Sequence, residues 1–208
     1  MMQSGLFDNA VHREIAITTG ALPSGLTYVP DLVSIADERA LLDLLDNTLA
    51  DRWMSDLSRR VQHFGYRYDY KARALSFKDR IESPPPMVAS IGQQLVDLGY
   101  FAEAPDQVIV NEYQPGQGIS PHIDRATCFG PTVASLSLGS DIVLEFISPE
   151  GKNGSLVLPA RSLVVLSSDA RFTWRHGIAS RKSDRIAGFE ARRQRRVSLT
   201  FRTVLLDS

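Results

Sequence analysis

A histidine and an aspartate stand two residues apart in the run Asn111-Glu-Tyr-Gln-Pro-Gly-Gln-Gly-Ile-Ser-Pro-His122-Ile-Asp124. On a β-strand, residues two apart point to the same side. The expectation is a strand that aims one imidazole and one carboxylate at a common point. A second histidine, His176, ends another strand-like run, Phe172-Thr-Trp-Arg-His176. Two imidazoles and one carboxylate make the facial set that suits non-haem Fe(II) and leaves positions open. A bidentate 2-oxo acid can take two of these and O2 the third. A lone His-x-Asp is more often an ordinary polar pair, so the specificity lies in the ordered set.

The set continues in Arg196-Val-Ser-Leu-Thr-Phe-Arg202. Arg196, Ser198, Thr200 and Arg202 fall on one face of a strand, and Val197, Leu199 and Phe201 on the other. A buried arginine requires an anionic partner, and a dicarboxylic co-substrate would provide it. Arg196 is expected to clasp the distal carboxylate. Arg202, farther along the same face, would lie nearer the metal and support Asp124 or the bound carboxylate. Asn111 and Tyr113 are also two apart. They are expected to donate to the co-substrate, the alternative being a plain cross-strand hydrogen bond.

These residues need a scaffold. At 208 residues, 43% hydrophobic and 23% charged, the chain fits one soluble domain. Cys128, the only cysteine, excludes an intramolecular disulfide and a thiolate-rich zinc site. No secretory pattern opens the chain and no apolar run reaches membrane length, so a cytoplasmic monomer without a membrane partner is expected. Residues 1–25 read as a leader, followed by a short strand at Leu26-Thr-Tyr-Val29. Ser34-Ile-Ala-Asp37 can cap a helix running through Leu49. Pro84-Pro-Pro86 introduces a second helix over roughly 87–98. From Gln107 the pattern becomes short strands at 108–113, 133–138, 142–146, 154–158, 162–166, 172–176 and 197–204, separated by turn signals. Many short strands point to a sandwich or jelly roll, with the preceding helices packed on one sheet: an α+β layout. The jelly-roll core is expected over 106–204 and a substrate lid over about 50–85.

The lid expectation rests on His63-Phe-Gly-Tyr66-Arg-Tyr68-Asp-Tyr70-Lys71-Ala-Arg73, which interleaves aromatics and cations. A flipped base could stack on His63, Tyr66 or Tyr68. Lys71, Arg73 and Arg80 could hold phosphates, and Arg125, next to Asp124, joins this group. The alternative is an ordinary hairpin with half-buried tyrosines. Between Arg181 and Arg196 stand seven cations (Arg181, Lys182, Arg185, Arg192, Arg193, Arg195, Arg196) against Asp184 and Glu190. That segment is either a solvated loop or a phosphate-facing edge.

Asn111-x-Tyr113-x-Pro-Gly116, His122-x-Asp124, His176 and Arg196-x5-Arg202 together resemble the AlkB family of Fe(II)/2-oxoglutarate dioxygenases. His63-Phe-Gly-Tyr66, Ile119-Ser-Pro-His-Ile-Asp124, Ser135-Leu-Ser-Leu-Gly139 and Trp174-x-His176-Gly-Ile178 look most like the oxygenase domain of the tRNA wobble-uridine AlkB homologues. The resemblance implies a double-stranded β-helix core, a nucleotide-recognition lid, and Fe(II), 2-oxoglutarate and O2 as cofactor and co-substrates. It implies a nucleic-acid partner, DNA or RNA, tRNA included. The first activity it implies is oxidative dealkylation of N-alkylated bases, as in DNA repair or RNA modification. Hydroxylation of a modified tRNA wobble base is the alternative, and a protein or small-molecule substrate a third. Two positions depart from the pattern. Ala126 stands where DNA-repair members carry an acidic residue that helps read the damaged base. Ser198 stands where many members carry Asn, and is the co-substrate contact implied there.

Overall fold

The computed structural model describes residues 20–206 apart from Asp56, so residues 1–19 of the expected leader lie outside the described residues. In chain order the strands are β1 (Leu26–Val29), β2 (Arg60–Phe64), β3 (Gln107–Tyr113), β4 (Ile119–His122), β5 (Phe129–Gly139) and β6 (Ile142–Ile147). They continue with β7 (Asn153–Leu158), β8 (Leu163–Leu166), β9 (Arg175–Ile178), β10 (Ser183–Ile186), β11 (Phe189–Arg192) and β12 (Arg196–Val204). The α-helices are α1 (Ile35–Asp43), α2 (Pro86–Asp97) and the short α3 (Ser168–Phe172).

The alternation of β12 dictates the layers. Val197, Leu199 and Phe201 join the buried cluster that contains Leu41 and Leu45 together with Val88, Ile91 and Leu95 of α2. The helices thus cover one face of a six-stranded sheet, β1-β8-β5-β12-β3-β2. The polar face of β12 looks the other way, toward a four-stranded sheet, β4-β9-β6-β7. A second core fills that inter-sheet space with Ile142, Leu144, Phe146, Leu156, Leu158, Val164, Leu166 and Ile178. Antiparallel pairing throughout both sheets makes this a double-stranded β-helix, or jelly roll, with helices on one side. β10 and β11 form a separate hairpin.

Helix α1 begins as expected: Ser34 and Asp37 form a reciprocal capping box. It stops at Asp43 rather than Leu49, and Leu44–Thr48 forms a π-helical turn. Gln62 of β2 explains the change. Its buried amide donates to the carbonyls of Leu45 at 3.2 Å and Leu49 at 3.0 Å, taking over acceptors at the helix end. Pro86 opens α2 at its first turn, where a missing N–H removes no helical bond. The run 172–176 is not a strand from its start. α3 occupies Ser168–Phe172 and β9 begins only at Arg175, so one helix lies inside the strand region.

Candidate active site

Strands β4 and β9 pair with His122 opposite His176. Close backbone approach there leaves no room for side chains at two positions. A Cβ on Gly118 would collide with the carbonyl of Ile178, and one on Gly177 would collide with Ile119 and Pro121. The two imidazoles sit with ring centroids 4.6 Å apart. In the tautomer that donates from Nδ1, His122 bonds the Ser120 carbonyl at 2.9 Å and presents Nε2 to the site. Burial, then the neighbouring His176, lowers the His122 pKa and keeps that imidazole neutral.

Asp124 is not on a strand. β4 ends at His122, and a register irregularity precedes it. Strand alternation therefore does not aim the carboxylate; two arginines do. Arg202 Nη2 lies 2.5 Å from Asp124 Oδ1. Arg171 Nη1 donates to the Asp124 main-chain carbonyl at 2.7 Å. The other carboxylate oxygen faces His176 Nε2 at 3.4 Å. Burial alone would raise the Asp124 carboxyl, but Arg202 and the two imidazoles outweigh it and hold it well below the usual range. One donor atom each from His122, Asp124 and His176 lies within 4.8 Å of the others. An octahedral ion with bonds of about 2.1 Å needs neighbouring donors about 3 Å apart, so small shifts would seat one.

The polar face of β12 meets β3 in register. Arg196 sits opposite Tyr113, and Ser198 opposite Asn111. All four are buried. Arg196 is 2% exposed and donates to Ser137 Oγ at 2.8 Å, while its Nε and Nη1 have no partner among the described residues. Burial pulls its pKa down to about 10. Two orphaned N–H groups on a buried guanidinium fit a bidentate carboxylate. Asn111, Tyr113, Arg196, Ser198, Thr200 and Arg202 border one cavity of ≈ 520 Å³, together with His122, Asp124 and His176.

The segment 65–82 folds over that cavity as a loose hairpin. Gly65 and Ile81 exchange main-chain hydrogen bonds with Glu82 and Gly65, and Arg67 bonds Asp79. Tyr68 and Tyr70 line the cavity with Arg73. Their rings meet edge-on at 5.2 Å, and Tyr68 also packs on Phe129 at 5.6 Å. The Arg202 guanidinium lies over that same Phe129 ring at 4.8 Å, joining the tyrosine wall to the clamp on Asp124.

Residues 44–202 match the pattern of the 2OG-Fe(II) oxygenase superfamily. The chain belongs to that superfamily. It is 36% identical over 205 residues to mouse (Mus musculus) ALKBH8, a tRNA (carboxymethyluridine(34)-5-O)-methyltransferase, covering 88% of this chain and 31% of that protein. It thus spans about a third of that relative's length. It is 34% identical over 186 residues to protein L905 of Acanthamoeba polyphaga mimivirus, covering 88% and 87%. The solved structure of OsALKBH1 superposes with a TM-score of 0.61 at 18% identity, covering 88% and 98%, a likeness of fold. Within the superfamily the chain is an AlkB-type oxygenase close to ALKBH8. Such oxygenases use Fe(II), 2-oxoglutarate and O2.

Several expected substrate residues lie elsewhere in this oxygenase. His63 is 5% exposed and does not border the cavity. It lies beneath the tyrosine wall, accepting from the Tyr68 N–H at 3.4 Å and meeting the Tyr70 hydroxyl at 3.3 Å. Tyr66 bridges to Arg80 in the hairpin, and its carbonyl accepts from Gln107. Tyr66, Lys71 and Arg80 do not border the cavity; Arg73 and Arg125 do.

The basic segment is mostly committed internally. Arg193 makes a buried bidentate pair with Asp184, which Arg181 joins. Arg195 grips Asp46 with both terminal nitrogens and Glu112 with Nε. Arg196 belongs to the cavity. Lys182, Arg185 and Arg192 stay exposed on the hairpin, near the exposed Phe189.

Three residues escaped the sequence reading. Arg171 directly precedes the strand expected at 172–176, and nothing local marks it. Tyr70 stood in the aromatic run two residues after Tyr68, on the same side by alternation, and that spacing could have found it. Arg59 adjoins Arg60, and nothing local distinguishes the two. In the fold Arg60 turns to Glu112, while Arg59 turns into the cavity. Among the described residues, no helix is long and apolar enough to cross a membrane.

Proposed function

We propose that His122, Asp124 and His176 hold the Fe(II), and that Arg196, assisted by Asn111, Tyr113 and Ser198, holds 2-oxoglutarate. We also propose that residues 65–82 form a lid that presents a nucleic-acid base to the metal. The carrying observation is that Tyr68 and Tyr70 line the same cavity as the His-Asp-His set. A base seated in that cavity has an aromatic wall on which to stack.

With iron, 2-oxoglutarate and O2 bound, the class inserts one oxygen atom into a C–H bond and converts the co-substrate to succinate and CO2. The chain's own residues supply the rest. Arg202 fixes one carboxylate oxygen of Asp124 and leaves the other for the metal. The Ser120 carbonyl fixes the His122 ring. Arg196 anchors the distal end of the co-substrate and so sets how far its 2-oxo group reaches along β12. Tyr68 and Tyr70 exclude water from one side and orient the base. Arg73 and Arg125 at the cavity edge meet phosphates.

The favoured substrate is a modified base of a tRNA anticodon. Supporting it is similarity to ALKBH8, a protein named for carboxymethyluridine at tRNA position 34. Ala126, two residues after Asp124, ranks purine repair second, because it offers no carboxylate to a damaged base. On an N-methyl carbon the same step would give an unstable N-hydroxymethyl group, which releases formaldehyde.

Mass spectrometry of nucleosides from cells lacking the protein tests the reading. A missing hydroxylated tRNA nucleoside is expected. An accumulated N-methyl adduct would put dealkylation first, and no change in RNA or DNA would overturn the nucleic-acid substrate.

A further inference from the structure

The cavity is lined by Arg59, Arg73, Arg125, Arg196 and Arg202, against one carboxylate, Asp124. Arg73 and Arg125 are exposed, so water screens them. Arg59, Arg196 and Arg202 are buried, and a buried cation calls for an anion or, as at Arg171 with its three carbonyls, a full set of neutral acceptors. Arg202 has Asp124. Arg196, on the reading above, has the distal carboxylate of 2-oxoglutarate, while the other carboxylate serves the metal. That leaves Arg59.

Arg59 is 9% exposed and forms no ion pair among the described residues. Its Nε donates to Asn111 Oδ1 at 2.9 Å, a neutral acceptor. That bond uses one side of the guanidinium and turns the Asn111 amide nitrogen away from Arg59. Its guanidinium carbon sits 5.7 Å from the centre of the Tyr113 ring, and that of Arg196 sits 5.5 Å from the same ring. The two arginines are thus separate cations that share one aromatic neighbour. Among the described residues, no carboxylate pairs with the remaining nitrogens of Arg59.

We propose that Arg59 is a second anion-binding cation of the cavity, taking carboxylate or phosphate oxygens beside Arg196. It rests on the assignment of Arg196 to the co-substrate. The anion has two possible sources: a phosphate of the nucleotide whose base meets the tyrosine wall, or the distal carboxylate shared between both arginines. Either makes Arg59, on the segment leading into β2, a link between ligand and lid.

Calorimetric titration of the Mn(II)-loaded protein separates the sources, with 2-oxoglutarate, uridine 5′-monophosphate and uridine as ligands. Wild type should bind the monophosphate more tightly than uridine if the phosphate is the anion. Arg59→Gln should then erase that preference, a loss of about tenfold or more, and leave 2-oxoglutarate unchanged. If the distal carboxylate is shared, Arg59→Gln should weaken 2-oxoglutarate by a similar factor. Arg59→Lys keeps the charge without the planar fork, should fold where Gln does not, and should fall between the two. Unchanged affinity for both anions in a folded Arg59 variant overturns that role. Intact 2-oxoglutarate binding in Arg196→Lys would instead overturn the reading beneath it.

Discussion

Arg171 donates to the main-chain carbonyl of Asp124 at 2.7 Å, from a position that is 1% exposed. The same guanidinium also bonds the carbonyls of Phe129 at 3.0 Å and Gly130 at 3.1 Å. One buried side chain therefore ties the carboxylate loop to the start of β5. Arg171→Met would leave three buried carbonyls unpaired, each worth about 1–3 kcal/mol. The expected outcome is a lower Tm together with weaker Mn(II) binding in calorimetry. Metal affinity equal to wild type in a folded Arg171→Met would show that Arg202 alone positions Asp124.

Arg196→Lys keeps a cation but cannot present two parallel N–H groups. Its affinity for 2-oxoglutarate should fall roughly tenfold while Mn(II) binding stays near wild type. Titration of each ligand separately checks this. An unchanged 2-oxoglutarate affinity would assign the distal carboxylate to another cation.

Buried His63 makes folding stability depend on pH. Burial, then the fields of Arg202 and Arg67, lowers its pKa from 6.5 to about 4. The folded state therefore holds it neutral, while the unfolded chain takes up a proton near its ordinary pKa. Above that value His63 makes no pH-dependent contribution. Between it and about 4 the unfolded state binds more protons, so stability is lost as the pH is lowered, by up to about 3 kcal/mol across the window. Protonation also removes the acceptor for the Tyr68 N–H. Urea titrations at neutral and mildly acidic pH should show a smaller acid loss in His63→Gln than in wild type. Equal losses would mean that His63 opens to water.

The exposed hairpin cations and the buried ones should behave oppositely. Changing Lys182, Arg185 and Arg192 together to Gln should leave stability within about 0.5 kcal/mol and flatten the salt dependence of binding to an anticodon stem-loop. Arg193→Gln takes two charge-assisted hydrogen bonds from the buried Asp184, leaves Arg181 as its remaining cation, and should destabilise by about 1–3 kcal/mol. Anisotropy at several salt concentrations, alongside thermal melts, distinguishes them.

Local pattern made much of this architecture legible. The alternation of Arg196–Arg202 gave both faces of β12, and Ser34 with Asp37 gave the start of α1. What remained hidden depends on partners distant in sequence. Gln62 ends α1 from another element. Arg195 is held by Asp46 and Glu112, which no local count of charges could pair with it. The convergence of Asp124 with His122 was expected from strand alternation, yet the strand ends at His122 and buried arginines do that work. His63 looked available because it stands in a run of aromatics and cations, but β2 carries it opposite Ile109 and beneath the half-buried Tyr68 and Tyr70.

The most direct test supplies iron-loaded protein with 2-oxoglutarate, isotopically heavy O2 and a modified anticodon stem-loop, and reads the products by mass spectrometry. One heavy oxygen should appear in succinate and one in the base or its released formaldehyde, and both should vanish in Asp124→Ala. Succinate formed without oxygen entering any nucleic acid offered, or wild-type turnover in Asp124→Ala, would contradict it.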